Sequence, residues 1–359
     1  MLKRLIYSSP ADIPDTAVVS LTSLGVIGES LRAGGVRVHI LGMSSALSFP
    51  LTLLRLTKLI RQYQPTIVQT WMYHADFLGG LAARLAGCRN VVWGIRITSV
   101  PLRNPMTVFV MKICALLSYC IPCKIVCVAE AARREHIRYG YDASRMVVVH
   151  NGFDFTAYAR ANEQRAVVRD SCNFSKDDLV VGWVGRFHPD KGQDNFVKAA
   201  AIVSHRHAEV KYLLVGRNCD VSNSKLMGWL NKNNLKDRFA LLGERDDVPA
   251  CLAAMDVFCM PSRNEGFPNG LGEAMAIGLP CVVTDVGDAG LLVGDTAVLV
   301  PAQDAQALAS GLLNVISLPP ALRIQIGLCS KTRVMKEFSI ARAKASFDDV
   351  YRDILRDEL

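Results

Sequence analysis

The sequence predicts an α/β protein made of two doubly wound halves. Three observations point there. The chain has 359 residues, 50% of them hydrophobic, which at roughly 150 residues per domain suffices for about two domains. Short runs rich in Val and Ile alternate with helical patterns, as expected of parallel strands joined by right-handed crossovers. The alternation occurs twice, on either side of a polar, charge-mixed stretch at 156–178 that reads as the junction.

In the first half the apolar runs fall at 17–21, 36–41, 67–70, 91–93, 125–128 and 146–149. They look like strands buried on both faces. The stretch 51–63 is an amphipathic helix, with Leu53, Leu56, Leu59, Ile60 and Tyr63 inward and Arg55, Lys58 and Arg61 outward. A second helix at 75–86 turns Phe77, Leu78, Leu81 and Leu85 inward. The apolar segment 106–121 is interrupted by Lys112 and closed by Pro122, and falls short of the ~20 residues of a membrane span. It reads as a buried helix, with a helix lying on a membrane face as the alternative. In the second half, strands are expected at 179–184, 212–215, 239–242, 257–260, 281–284 and 297–300. Helices are expected at 194–203, 223–233, 248–255, 269–277 and 305–316. The expected domains are 1–160 and 161–338, with a C-terminal helix at 339–359 packing back on the first. A cleft is expected between the halves, with ligands beyond the carboxyl ends of the strands. The beginning departs from this pattern: 2–6 resembles the tail of a helix, and no glycine precedes Gly25.

Charge is unevenly spread. The chain carries a net +8, but residues 1–170 hold +10 and the remainder −2. Between Ser30 and Ala129 there are eleven basic residues and one acid, Asp76. Such a half suits an anionic partner, whether nucleic acid, membrane or phosphorylated substrate; a solvated basic surface is the plain alternative. Nucleic acid is disfavoured because no aromatic residues interleave the charge. The eleven cysteines do not form a framework: Cys127, Cys259 and Cys281 sit inside strand-like runs, and no second pair or His completes a zinc set around Cys120, Cys123 and Cys127. The basic N-terminus lacks the apolar core of a signal peptide. A cytoplasmic setting, without disulfides or metal, is expected.

Two loops of the second half carry the chemistry. One is MPSRNEGFPNGLGEAMAIGLP at 260–280, where a strand ends, Glu265 follows, and a helix starts near Asn269. Gly270, Gly272, Ala274 and Ala276 leave little bulk at that helix start, whose N–H groups and dipole favour an anion. Glu265 and Glu273 enclose seven residues; carboxylates repel phosphate, so both are expected to meet neutral hydroxyls. Glu273 is read as lying in the first turn, where a Glu could equally serve the helix dipole. The other loop, VVGWVGRFHPDKGQDNFVKAA at 180–200, puts Gly185 and Arg186 at a strand end and Lys191 five residues on. Two such cations suit a diphosphate, or are incidental surface charges.

With these motifs in order, the sequence resembles the retaining glycosyltransferases of family 4, which have the GT-B fold of two Rossmann-like domains facing a central cleft. The matching segments are VQTWMYHADFLGGLAARLAG, VVVHNGFD, VGRFHPDKG, LLGERDDVPACLAAMDVF, the E-x7-E run EGFPNGLGE and CVVTDVGDAGLLVGDTAVLVP. The resemblance implies that Gly185, Arg186 and Lys191 bind the donor diphosphate and that Glu265 holds donor-sugar hydroxyls. It further implies that Gly266, Phe267, Asn269, Gly270 and Leu271 face the donor through their backbone, and that Glu273 binds the ribose. Arg245 and its loop would lie near the base, and His74 would approach the donor sugar. The co-substrate would be a UDP- or GDP-linked sugar, with no bound cofactor and no metal. The acceptor would be a saccharide or lipid-linked saccharide in cell-surface polysaccharide or lipopolysaccharide synthesis. An anionic membrane surface at the inner face of the cell membrane would be a partner. The family's opening strand and Gly-rich loop are not found here. The alternatives are therefore a GT-B sugar-nucleotide epimerase and an inactive binding or scaffold homologue.

Overall fold

A computed structural model describes residues 1–98 and 104–356. The chain forms two compact units. The first runs from Met1 to Gly152 and includes the C-terminal helix from Ile340 on; the second is Phe153–Ser339.

The first unit contains α1 (Leu2–Tyr7), β1 (Ala17–Ser20), α2 (Gly25–Ala33), β2 (Arg37–Ile40), α3 (Phe49–Tyr63), β3 (Val68–Gln69), α4 (Tyr73–Ala86), β4 (Val91–Ile95), α5 (Pro105–Leu117), β5 (Lys124–Cys127), α6 (Glu130–Arg138) and β6 (Met146–Val148). All pairings are parallel. The one sheet implied by the alternation is in fact two: β1 pairs with β2, and β3-β4-β5-β6 form a separate sheet. β3 spends its bonds on β4, with the N–H groups of Val68, Thr70 and Met72 donating to Asn90, Val92 and Gly94 at 2.9, 2.8 and 2.8 Å.

β4 and β5 are buried on both faces, which is why they read as unbroken apolar runs. Against them pack Leu5 of α1 and Phe347, Val350 and Ile354 of the C-terminal helix. The spacing of those three residues makes one stripe of a 3.6-residue helix. Tyr351, on the same helix, donates to Gln69 Oε1 at 3.0 Å.

The second unit contains α7 (Arg165–Ser171), β7 (Val180–Val184), α8 (Gln193–Arg206), β8 (Lys211–Val215), α9 (Ser224–Lys232), β9 (Phe239–Leu241), α10 (Val248–Ala253), β10 (Val257–Met260), α11 (Asn269–Ile277), β11 (Cys281–Thr284), α12 (Ala289–Val293), β12 (Val298–Val300), α13 (Ala305–Ile316) and α14 (Pro320–Glu337). The C-terminal helix is α15 (Ile340–Arg356). The strand order is β12-β11-β10-β7-β8-β9, all parallel. The winding reverses between β7 and β10, and such switch points are where doubly wound sheets bind ligands.

The stretch 156–178, read from sequence as the junction, belongs to the second unit. Its charges are the reason. Arg165 and Arg169 each reach Asp256 at 2.6 Å, one on each carboxylate oxygen. Arg169 is buried and also donates to the carbonyls of Ala254, Ser175, Lys176 and Asp178. Part of the polar composition is thus a half-buried charge network around Arg169, which local sequence cannot distinguish from a solvated linker.

All eleven cysteines are free thiols. Burial pushes Cys127 up to about 12 and raises Cys259 and Cys281 as well, so these three are inert core residues. Among the described residues no cluster of three or more His, Cys, Asp and Glu could hold a metal ion. Among them, too, no single helix is long and apolar enough to cross a membrane.

Candidate active site

The switch point of the second unit gathers the residues singled out in its two loops. Past β7, the N–H groups of Gly185 and Phe187 donate to Val215 O and Arg217 O, both at 2.8 Å, which carries the pairing with the β8 chain past Arg186. The Arg186 carbonyl is held by Gln193 Nε2 at 2.8 Å, while its guanidinium is exposed and pairs with no described side chain. A 3-10 turn at Pro189–Lys191 follows, then Gly192 at φ 66°. Gly192 is required twice over: its backbone is left-handed, and a β-carbon there would lie 2.0 Å from Pro261 O.

That close approach welds the cationic loop to the loop after β10. Arg263 donates to Pro189 O at 2.7 Å and pairs with Asp194 at 2.5 Å, and its own N–H donates to Asp190 O at 2.7 Å. Burial tends to raise Asp194, but Arg263 outweighs it and holds the carboxyl below its ordinary value. The result brings Lys191 Nζ to 2.6 Å from Glu265 Oε1, which also accepts from Ser262 Oγ at 2.7 Å. The cation and the first glutamate of the E-x7-E run are therefore direct partners, although 74 residues apart.

The second glutamate needs a correction. Helix α11 begins at Asn269, and its first turn holds no acid. At 3.6 residues per turn, Glu273 lies in the second turn, where support of the dipole is weak. The small residues also serve another purpose than the one inferred. A β-carbon on Gly272 would lie 2.0 Å from the ring of Phe153, and one on Gly270 would lie 3.2 Å from Val184 O. These glycines admit an aromatic ring and the end of β7. Phe267 and Leu271 are buried, so only their backbone is available to a ligand. Within the helix, Gly272 N–H bonds to Pro268 O at 3.3 Å. Gly270 and Leu271, in the first turn, have N–H groups without an intrahelical acceptor. Gly266 O accepts from Asp288 N–H at 2.9 Å.

Arg245 is exposed, with its fork on Asp247 at 2.7 and 2.6 Å. That fork raises the guanidinium and holds the Asp247 carboxyl below its ordinary value. Arg245 is thus satisfied by its own loop. His74 belongs to the first unit, where it is exposed on the second residue of α4.

The turn bearing His74 is unusually constrained. Met72, which precedes α4, sits at φ 77° without being a glycine, a conformation that persists only when its surroundings enforce it. Tyr73 Oη meets His136 Nε2 at 2.6 Å in the interior. Asp76 is fully buried; its Oδ1 accepts from Thr70 Oγ1 at 2.5 Å and from Gly94 N–H at 3.4 Å, while its Oδ2 has no partner. The sequence reading passed over Asp76, yet a signal was present: it is the one acid among eleven basic residues.

Comparison with known proteins places the chain in a family. The family described as "Glycosyltransferase Family 4" matches residues 16–157, and that described as "Glycosyl transferases group 1" matches residues 178–317. The chain is a family 4-like glycosyltransferase of the GT-B fold. Among relatives of this glycosyltransferase is the Escherichia coli UDP-Gal:alpha-D-GlcNAc-diphosphoundecaprenol alpha-1,3-galactosyltransferase, 27% identical over 85% of this chain and 79% of that protein. Another is the Staphylococcus aureus capsular polysaccharide biosynthesis glycosyltransferase CapM, 22% identical over 85% of this chain and 81% of CapM. The crystal structure of Anabaena Alr3699/HepE in complex with UDP and glucose has a TM-score of 0.85, 21% identity and coverage of 98% of this chain and 95% of that one. That likeness shows the fold. Relatives of this glycosyltransferase thus include enzymes of polysaccharide and lipopolysaccharide biosynthesis.

Proposed function

We propose that this glycosyltransferase moves a hexosyl or N-acetylhexosaminyl group from a UDP- or GDP-sugar to a saccharide or lipid-linked acceptor, with retention of anomeric configuration. The observation that carries this reading is the convergence of Arg186, Lys191 and Glu265 at the switch point. In the proposed reaction the bond between the anomeric carbon and the donor phosphate breaks, and charge grows on the β-phosphate. Arg186, Lys191 and the first-turn N–H groups of α11 meet that charge, in the manner of an oxyanion hole. Diphosphate oxygens compete with Glu265 for Lys191, which frees Glu265 for sugar hydroxyls. Gly185 and the backbone of Gly266, Phe267, Asn269, Gly270 and Leu271 shape the donor site, and Glu273 takes the ribose. Arg245 orders the loop near the base. The acceptor hydroxyl attacks on the face the diphosphate leaves, forming the new glycosidic bond as its proton passes to the departing phosphate oxygen. No covalent nucleophile is assigned.

A panel of nucleotide-sugars tests this by thermal shift. One sugar nucleotide should raise the melting temperature by several degrees, consistent with RT ln(1 + [L]/Kd). Glu265→Ala should lose most of the shift given by the intact sugar nucleotide while keeping that given by the free nucleotide. An unchanged sugar-nucleotide shift in Glu265→Ala would remove Glu265 from the sugar site.

The first unit supports the membrane part of the reading. Helices α3 and α5 flank α4. They expose Leu51 and Leu54, and Phe109 and Leu116. Arg55, Lys58, Arg61 and Lys112 are exposed on the same two helices, and the sole acid of α3–α5 is the buried Asp76. Apolar side chains beside unopposed cations suit the inner face of an anionic membrane, where each Lys or Arg near the surface contributes ~1 kcal/mol. The protein should sediment with phosphatidylglycerol vesicles, release as salt rises, and lose binding in Leu54→Glu/Phe109→Glu. Equal binding to neutral vesicles, or none to anionic ones, would refute it.

A further inference from the structure

The loop that carries Glu265 is gripped from both sides. Gly192, Lys191 and Arg263 join it to the cationic loop. Its other side is held by the chain leaving β11. Thr284, the last residue of that strand, is fully buried. Its Oγ1 donates to Ser262 O at 2.6 Å, with Met260 O a longer second acceptor at 3.2 Å. Past Thr284, Gly287 sits at φ 60° with its Cα pressed on the turn that bears the glutamate. A β-carbon there would lie 2.3 Å from Glu265 O and 2.6 Å from Gly266 O. The Asp288 N–H completes the contact by donating to Gly266 O at 2.9 Å.

The contacts on the carboxylate itself show why this side matters. Ser262, fully buried like Thr284, donates from Oγ to Glu265 Oε1 at 2.7 Å. Lys191 Nζ approaches the same oxygen at 2.6 Å. Among the described residues no donor reaches Oε2, so that oxygen is the one left to a ligand. On the glycosyl-transfer reading Lys191 is not a lasting anchor, because diphosphate oxygens draw it away. Ser262 is then the one described donor that stays on Glu265. A serine hydroxyl is only as fixed as its backbone, and the Ser262 carbonyl is fixed by Thr284. A relay of two hydroxyls thus runs from β11 to the glutamate. Both are shut off from water, so loss of either bond leaves a buried polar group unsatisfied.

We propose that Thr284 is a positioning residue for donor-sugar recognition: its hydroxyl, acting through Ser262, keeps Glu265 in place while Lys191 turns to the diphosphate. A binding group needs such support, because hydrogen bonds behind it are what hold it close to its productive geometry. Gly287 serves the same end, since only a residue without a side chain lets the β11 loop close on the Glu265 turn. The inference rests on the glycosyl-transfer reading and adds a division of labour to it. Recognition of the sugar depends on β11 as well as β10, whereas the diphosphate is met by Arg186 and Lys191 of the loop after β7.

The test is calorimetry on the full chain with UDP-glucose, UDP-galactose, UDP-N-acetylglucosamine and GDP-mannose, and with UDP and GDP alone. The sugar nucleotide that the wild type binds most tightly is carried to the variants together with its free nucleotide. Thr284→Val, which keeps the shape and removes the hydroxyl, should weaken the sugar nucleotide about tenfold and leave the free nucleotide unchanged. Thr284→Ser, which keeps the hydroxyl, should bind both as the wild type does. In a Glu265→Ala background Thr284→Val should change nothing further, because the relay ends at that carboxylate. Ser262→Ala cuts the relay one bond later; it should behave as Thr284→Val does, and it replaces that variant in the cycle if Thr284→Val does not fold. Wild-type affinity for the sugar nucleotide in Thr284→Val overturns the assignment. Equal weakening of nucleotide and sugar nucleotide, or losses that add in the double variant, overturns it too, by making Thr284 a general support of the fold. A wild type that binds none of the four sugar nucleotides would instead count against the glycosyl-transfer reading.

Discussion

Arg186→Ala is expected to lower turnover by about two to three orders of magnitude, the usual effect of removing one preorganised donor to developing charge. The expectation follows from position. Arg186 leaves the end of β7 at the switch point, its main chain is held by Gln193, and its guanidinium is exposed and pairs with no described side chain. Because the side chain supports nothing else, the unfolding free energy should change by no more than an ordinary surface substitution does, about 0.5 kcal/mol. Arg186→Lys should recover part of the rate, since it restores a point charge without the fork. Lys191 gives a contrasting case. It is paired with Glu265, so Lys191→Ala should disturb the sugar site as well as the diphosphate, raising KM for the sugar nucleotide along with lowering kcat. Steady-state kinetics with the donor found in the thermal-shift panel decides both. Turnover like the wild type's in Arg186→Ala would refute its role.

A second large effect should appear as pH dependence of stability. Burial lifts Asp76 from its ordinary 3.8 to about 7, against the smaller lowering by Thr70 and Gly94. The groups that face it are Tyr73, Cys114, Cys127 and Tyr141, all neutral at neutral pH, so no cation compensates an ionised carboxylate. A carboxyl whose folded value lies above its unfolded one stabilises the fold fully below the unfolded value. That contribution is lost as pH rises toward the folded value. Between about pH 4 and pH 7 it should fall by roughly 4 kcal/mol, at 1.36 kcal/mol per unit. Asp76→Asn keeps the shape and an acceptor for Thr70 while removing the titration. Urea unfolding of both proteins from pH 5 to pH 8 should show the wild type losing stability relative to the variant. The difference between them is the informative quantity, because it removes every titration the two proteins share. Parallel curves would show that Asp76 does not titrate in this window. Since Asp76 ties the ends of β3 and β4 to the turn that bears His74, kcat should move with the same pH range.

Much of the local structure of the candidate site is legible in the sequence. The loops 180–200 and 260–280 combine a strand, a tight turn and a helix start, features set by near neighbours in the chain. Helices α11 and α13 span the residues expected of them. The side-chain purposes were less legible. Gly270 and Gly272 look the same in sequence whether they admit a phosphate or a phenyl ring, and only the position of Phe153 shows the ring beside Gly272. Arg165 and Arg169 looked like linker charges because Asp256, which holds them, lies more than 80 residues away.

Alternation of apolar runs with helical patterns, a basic first half, and the order of the cationic and acidic loops were determined by the sequence alone. They depend on local periodicity and on residue chemistry, both of which are written in the letters. Tertiary structure decided the rest. It placed β10 beside β7, so that Lys191 meets Glu265. It packed α15 against the first unit's core and divided that unit's strands into two sheets. It also buried Asp76 without a cation. Burial depends on what other segments bring to a side chain, and the energy of a charge depends on burial. The charge pattern marks Asp76 in the sequence, but only the fold shows that it is buried.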